Sequence, residues 1–277
     1  MSTTRTYQFD VDTKRYLNRV NTYRSLNGLP DIQKSDAADI DNFVIGLKDL
    51  GVWYQSICFL LRSQHNMGTG SQVFSIGGQD NVIGNAVNSP TWSLSGINFS
   101  GTNYITAFLN KTIETSEVSI ASVANSTTMA ILNGFPYQLS VSTSNYAVEG
   151  FSILSAGSAG ANWIIESRQR DTATAYPTSI ANQTSRLNGG RSFGAGFQNY
   201  LNGTTTSSTA SRVNQIFDRI QICGRWINSS TVQCSTGSYG VGWIGSQSLC
   251  MVSLDYIDFS ALQNLLKTTV CKGLNLP

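Results

Sequence analysis

The residues best suited to chemistry are few and poorly grouped. There are four glutamates, Glu114, Glu117, Glu149 and Glu166. Hydrolysis of a sugar bond needs two carboxylates roughly 5–9 Å apart. A strand supplies such a pair at alternate positions, because successive side chains point to opposite faces. No glutamate here has an acid two residues away. Glu114 and Glu117 are three apart, which places them on opposite faces of a strand. Glu166 lies in "IIESRQRD" beside Arg168 and Arg170 and reads as a surface ion pair. A Ser–His–Asp triad would have to use His65, the single histidine. Its setting, "RSQHNMGTG", reads as a polar linker, and no G-x-S-x-G elbow accompanies it. That predicts a solvated or locally bonded imidazole. The G-x-G of "GRSFGAGFQ" sits in an apparent β-hairpin without the helix or lysine of a phosphate cradle. The five cysteines show no C-x-x-C pair, which with one histidine argues against zinc and for buried, reduced thiols. Calcium wants clustered oxygen ligands, and residues 70–277 offer nothing closer than "DYID" at 255–258. The sequence thus predicts no catalytic residue, no metal and no cofactor, and it reads as a chain that is not an enzyme.

Aromatic residues offer a different chemistry. "GRWINSSTVQCSTGSYGVGWIG" places Trp226, Tyr239 and Trp243 among Asn228, Gln233 and many hydroxyls. Ring faces beside amide and hydroxyl donors suit sugar binding, although such rings also fill cores and interfaces. The rest of the composition fits a neutral, hydrogen-bonding surface. Only 12% of the residues are charged, about half the usual share, and the net charge is +2. That balance gives no argument for nucleic acid. No apolar run reaches the ~20 residues of a membrane helix, so membrane insertion is not expected. "MSTTRTYQFD" contains no apolar run either, which predicts synthesis in a cytoplasm without a signal peptide.

These residues must be held by two unlike stretches. Residues 1–62 carry 15 of the 34 charged residues and read as helical. "VDTKRYLNRVNTYRSL" puts Tyr16, Leu17, Val20 and Tyr23 on one face, with Asp12 or Thr13 as cap and "NGLP" as stop. Ser35 would cap a second helix through "DAADIDNFVIGLKDLG", with Ile40, Phe43, Val44, Leu47 and Leu50 on one side and Gly51 at its end. "VWYQSICFLL" reads either as a buried strand or as a third helical piece. From about residue 70, short β-branched and aromatic segments alternate with Gly, Asn and Ser breaks, at a spacing that predicts an antiparallel sandwich. "LNG" at 132–134, 187–189 and 201–203 reads as a tight turn. "DFSALQNLLKTTV" predicts a closing helix capped by Ser260. The expected fold is mainly β: an antiparallel jelly-roll sandwich over 70–277, behind a helical segment over 1–69 and with a short C-terminal helix.

Two stretches resemble known families. "IGNAVNSPTWSLSGINFSGTNYITAFLN" resembles the start of concanavalin A-like lectin/glucanase and laminin-G-like domains through Gly84, Asn88, Pro90, Trp92, Gly96, Ile97, Phe99 and Gly101. "YLNGTTTSSTASRVNQIFDRIQICGR" and "DYIDFSALQNLLKTTV" look like the late hairpin and closing helix of those domains. "FDVDTKRYLNRV" and "DIQKSDAADIDNFVIGLKDLGVWYQSICFLLRSQ", with Trp53, resemble the segment ahead of such domains in virion proteins of tailed bacteriophages. The resemblance implies a structural component of a phage particle, a fibre, appendage or decoration protein, made in the host cytoplasm and located in the virion. Other virion proteins would be its partners. Tyr16, Leu17, Val20, Phe43 and Leu47 would then face the particle or sibling subunits in a homo-oligomer, a trimer by analogy with fibres. The alternative is a carbohydrate-binding module for a host-surface glycan, with Trp226, Tyr239 and Trp243 as its platform. A polysaccharide-degrading enzyme is a third and weaker reading.

Overall fold

The computed structural model describes residues 8–79, 81–125, 135–143, 150–157, 162–169, 172–173, 178–181, 185–193, 196–208, 214–228, 231–233, 235–236 and 244–277. Helix α1 spans Val11–Leu26, α2 Lys34–Asp49 and α3 Phe259–Thr268. The early strands are β1 (Ser56–Leu60), β2 (Gln72–Ile76), β3 (Ile83–Val87), β4 (Thr91–Ser93), β5 (Gly96–Ser100), β6 (Tyr104–Thr115) and β7 (Val118–Asn125). The middle strands are β8 (Phe135–Ser142), β9 (Gly150–Gly157), β10 (Asn162–Gln169), β11 (Thr172–Ala173), β12 (Thr178–Ala181), β13 (Ser185–Phe193), β14 (Gly196–Leu201) and β15 (Thr204–Ser208). The late strands are β16 (Gln215–Ile222), β17 (Arg225–Asn228), β18 (Thr231–Gln233), β19 (Ser235–Thr236) and β20 (Ile244–Ser253). Every strand pairing is antiparallel among the described residues.

The strands form two layers. One runs β15–β14–β13–β7–β20, and β20 then pairs with β1 along one half and with β5 along the other. The second runs β3–β6–β16–β8–β9–β10. Strand β2 joins the layers, pairing with β1 through Ser75 and Ile76 and with β3 through Gln72, Val73 and Phe74. Between the layers lies one apolar core, containing Ile57, Phe59, Ile120, Phe151, Phe217 and Val252. The alternate residues of the first layer face a second core under the helices. Cys58, Leu60, Val123, Leu249 and Met251 meet Tyr16, Val20, Phe43, Leu47, Leu262 and Leu266 there. The period-2 geometry of a strand sends neighbours to opposite cores. This explains why "ICFL" is apolar without interruption: β1 is buried on both faces.

Local details correct several expectations. Asp10, not Asp12 or Thr13, caps α1, its side chain accepting from the Asp12 amide. Ser35 lies inside α2 and caps nothing, since the helix starts at Lys34 after Gln33. Asp258 rather than Ser260 caps α3, accepting from the Ser260 and Ala261 amides at 3.0 Å each. "LNG" at 201–203 is a turn, with Asn202 and Gly203 at φ 42° and 93°. At 187–189 the same tripeptide is the interior of β13, paired on both sides. A Cβ on Gly189 would lie 2.6 Å from the Phe259 ring, so that glycine makes room for α3. The third "LNG", 132–134, lies outside the described residues.

The helix faces expected to meet sibling subunits are covered within one chain. Tyr16, Leu17, Val20, Phe43 and Leu47 are all at most 8% exposed, packed on the first layer and α3. The premise for self-assembly, an apolar face left wet, is therefore corrected. No helix among the described residues is long and apolar enough to cross a membrane.

Candidate functional site

The site is built on the loop between β1 and β2. Asn66 is fully buried and uses its whole amide. Its Nδ2 donates to the Leu60 and Phe74 carbonyls at 2.9 and 2.8 Å, and its Oδ1 accepts from the Met67 and Phe74 amides at 2.9 and 3.1 Å. Two arginines staple the same loop. Arg24 Nη1 donates to the Ser63 and Asn66 carbonyls at 3.1 and 2.6 Å. Arg62 reaches the Leu94, Val270 and Lys272 carbonyls at 2.6, 2.9 and 3.0 Å. A guanidinium presents several fixed donors and so can tie distant carbonyls together.

Beyond Met67 the chain turns outward through Gly68 and Gly70, at φ 72° and 69°. Opposite stands the turn leading into β4. Asn88 and Ser89 there have φ of 59° and 50°, a left-handed conformation uncommon outside glycine. Asn88 Nδ2 donates to the Thr102 carbonyl at 2.9 Å, and Asn103 Nδ2 donates to the Asn88 carbonyl. Backbone strain of this kind persists only where the surroundings over-determine it. Between the two turns lies an open groove of roughly 460 Å3, lined by Gly68, Thr69, Gly70, Ser71, Ser89, Pro90, Thr91 and Trp92. Trp92 is half-buried, and its indole Nε1 donates to the Gly70 carbonyl at 3.1 Å, fixing the ring across the groove. No lining side chain is ionisable, and Thr69, Ser71, Ser89 and Thr91 are exposed hydroxyls. The arrangement is an apolar ring face ringed by donors and acceptors.

The residues singled out from sequence stand elsewhere. Trp226 lies on β17 opposite Val232, and nothing is described of its side chain. Tyr239 and Trp243 lie outside the described residues, so nothing brings the three together or apart. Glu117 is ion-paired to Arg191, at 2.7 Å to Nε and 2.5 Å to Nη2. Glu149 lies outside the described residues. His65 is not in a solvated linker: it is 1% exposed. Burial, with Arg62 adding to it, pushes its pKa down to about 3, even though Asp36 Oδ1 stands 3.8 Å from Nε2. The desolvation penalty outweighs a carboxylate at that range, and the imidazole is neutral. Its polar context is deceptive because Arg62 and Asn66 point their polar atoms inward, at backbone. Cys58, Cys223, Cys250 and Cys271 are buried, and none of these four is in a disulfide. Among the described residues no group of three or more His, Cys, Asp or Glu side chains could hold a metal. Trp92 carried the family resemblance but was not assigned to a site. The signal was there in "NSPTW": a turn made by Asn, Ser and Pro, immediately before an aromatic residue.

No protein-family profile matches the chain. No curated protein matches it either. Solved structures do. A Trypanosoma rangeli sialidase in complex with sialic acid aligns with a TM-score of 0.51 and 12% identity, over 78% of this chain and 33% of that one. The binding domain of botulinum neurotoxin DC aligns at 0.47 and 8%, over 77% and 51%. Domain 4 of the Geobacillus stearothermophilus arabinanase AbnA aligns at 0.41 and 9%, over 76% and 87%. This chain thus spans about a third to a half of the length of the first two. The expected absence of enzymatic activity does not stand: a sialidase shares this fold, so the sandwich gives no ground for excluding catalysis. What the likeness establishes is the fold, a mainly antiparallel β-sandwich carrying helices at its two chain ends.

Proposed function

We propose that this chain is a carbohydrate-binding β-sandwich, displayed on a bacteriophage particle, that recognises a glycan of the host surface. The groove at Trp92 carries the proposal. A sugar ring has an apolar face and a belt of hydroxyls, and the groove offers a half-buried indole beside Thr69, Ser71, Ser89 and Thr91. Its turns are held by Asn66, Arg24 and Asn103, so little ordering is needed on binding. The sialidase of this fold was solved with sialic acid, which puts glycans first among the ligands to screen. The virion setting rests on the resemblance of residues 9–64 to the front segment of phage proteins.

A glycan array followed by calorimetry tests the groove. The wild type should bind at least one host polysaccharide, and Trp92→Ala should weaken it about tenfold, the worth of one aromatic contact. Trp243→Ala provides the comparison for the platform of Trp226, Tyr239 and Trp243. Loss with Trp243→Ala but not Trp92→Ala would move the site there, and no binding by the wild type would end the carbohydrate reading. Mass spectrometry of purified particles checks the setting, since absence of the chain from them would end the virion reading.

A further inference from the structure

We propose a second binding site, in the cleft between α1 and the loop after β2, for a small carboxylate ligand of the size and chemistry of a sugar acid. One face of α1 presents Asp12, Arg15, Tyr16 and Arg19 to the cleft, and Trp53, Ile76, Gly77 and Asn81 form the opposite wall. The cavity is about 200 Å3, several times the roughly 30 Å3 that one water occupies in the liquid. Gly77 lets that wall lie close on the chain beneath it, because a Cβ there would lie 2.1 Å from the Ser56 carbonyl oxygen.

Among the described residues, the charges around the cleft balance except at Arg19. Asp12 is shared by Lys48 at 2.7 Å and Arg15 at 3.3 Å, and Lys48 also meets Asp10 at 2.7 Å. Among the described residues Arg19 has no carboxylate partner. Its Nη2 donates to the Ser75 carbonyl, its guanidinium lies 5.3 Å from the centre of the Phe74 ring, and its Nε is buried without an acceptor. Burial lowers its pKa, and among the described residues Tyr16 alone acts in the other direction. A partly buried guanidinium without a counter-ion, at the wall of a cavity, attracts an anion. One uncompensated positive charge matches a monoanion better than a phosphate dianion. A planar carboxylate also matches the flat guanidinium fork. Arg15, whose side chain is 76% exposed, is close enough to turn toward the same group.

The site is separate from the groove at Trp92 and does not rest on it. Titration of the 15N-labelled full chain with D-glucuronate, D-glucose and inorganic phosphate tests it by NMR. Glucuronate should give saturable shifts at the Arg19 Nε–Hε signal and at the Ile76, Gly77 and Asn81 amides, and glucose none. Arg19→Lys should weaken binding about tenfold, and Arg15→Gln about threefold. Arg15 is exposed, so its variant keeps the test decisive if Arg19→Lys does not fold. The proposal is overturned by any of three results: no saturable shift, shifts confined to the Gly68–Trp92 groove, or unchanged affinity in either Arg15→Gln or a folded Arg19→Lys. Tighter binding of phosphate than of glucuronate overturns the carboxylate assignment.

Discussion

At the scale of single residues, this protein spends its polar side chains on backbone. Asn66, Arg24 and Arg62 hold the β1–β2 loop through carbonyls and amides, and His65 sits neutral among them. The neutral imidazole has a consequence for acid stability. Its pKa is about 3 in the folded chain and 6.5 when unperturbed, so between these values the unfolded chain binds a proton that the folded chain refuses. The contribution of His65 is complete above pH 6.5 and is lost as the pH falls toward 3. The slope it adds is at most about 1.4 kcal/mol per pH unit. Urea unfolding of wild type and His65→Leu at pH 7, 5.5 and 4.5 should show a shallower fall for the variant. Parallel curves would mean that the imidazole is protonated, or reached by water, in the folded state.

At the scale of elements, glycines decide where strands and helices can approach. Gly96 starts β5 at φ 142°, and a Cβ there would lie 2.1 Å from the Gln247 carbonyl oxygen on β20. Neither strand can retreat, because β20 is paired on both sides. Gly96→Ala should therefore cost roughly 2–4 kcal/mol, combining strain with a backbone clash. Gly28, just past the end of α1 at φ 69°, has open space around it. Gly28→Ala should cost only about 1 kcal/mol, the penalty of a left-handed residue with a Cβ. Denaturation midpoints of the two variants check the contrast, and equal losses would mean that β5 does not lie against β20. The two helix faces were legible from sequence because their 3.6-residue period is local. The Asp10 and Asp258 caps were not, because several polar residues compete at each helix start and tertiary entry angles choose among them.

At the scale of the molecule, α1 and α2 complete a core rather than extend from one. The expected division at residue 69 separates β1 from β2, which pair with each other, and β1 also pairs with β20 near the far end of the chain. Tyr16, Val20, Phe43 and Leu47 cover Leu60, Val123, Leu249 and Met251. We expect one cooperative calorimetric transition for the full chain, and aggregation of a chain that begins at Val52, whose first sheet layer would be stripped on one face. Two separate transitions, or a soluble folded truncation, would restore an independent helical segment.

The sequence by itself determined the class of fold, both N-terminal helices with their apolar faces, the closing helix and the neutral character of the surface. These follow from periodicity and composition, which act over a few residues. What lies over each helix face was decided only by tertiary structure, because an apolar stripe is the same whether a sheet or a sibling subunit covers it. The second "LNG" is strand rather than turn because β7 and β14 pair with it on both sides, and Phe259, seventy residues on, packs in the space above Gly189. His65 left its polar context for the interior for the same kind of reason, since its neighbours' bonding partners are distant in sequence. The groove at Trp92 brings together residues 68–71 and 89–92, and the cleft at Arg19 brings together α1 and the loop after β2. No local pattern encodes either meeting, because each depends on β2 bridging two sheet layers.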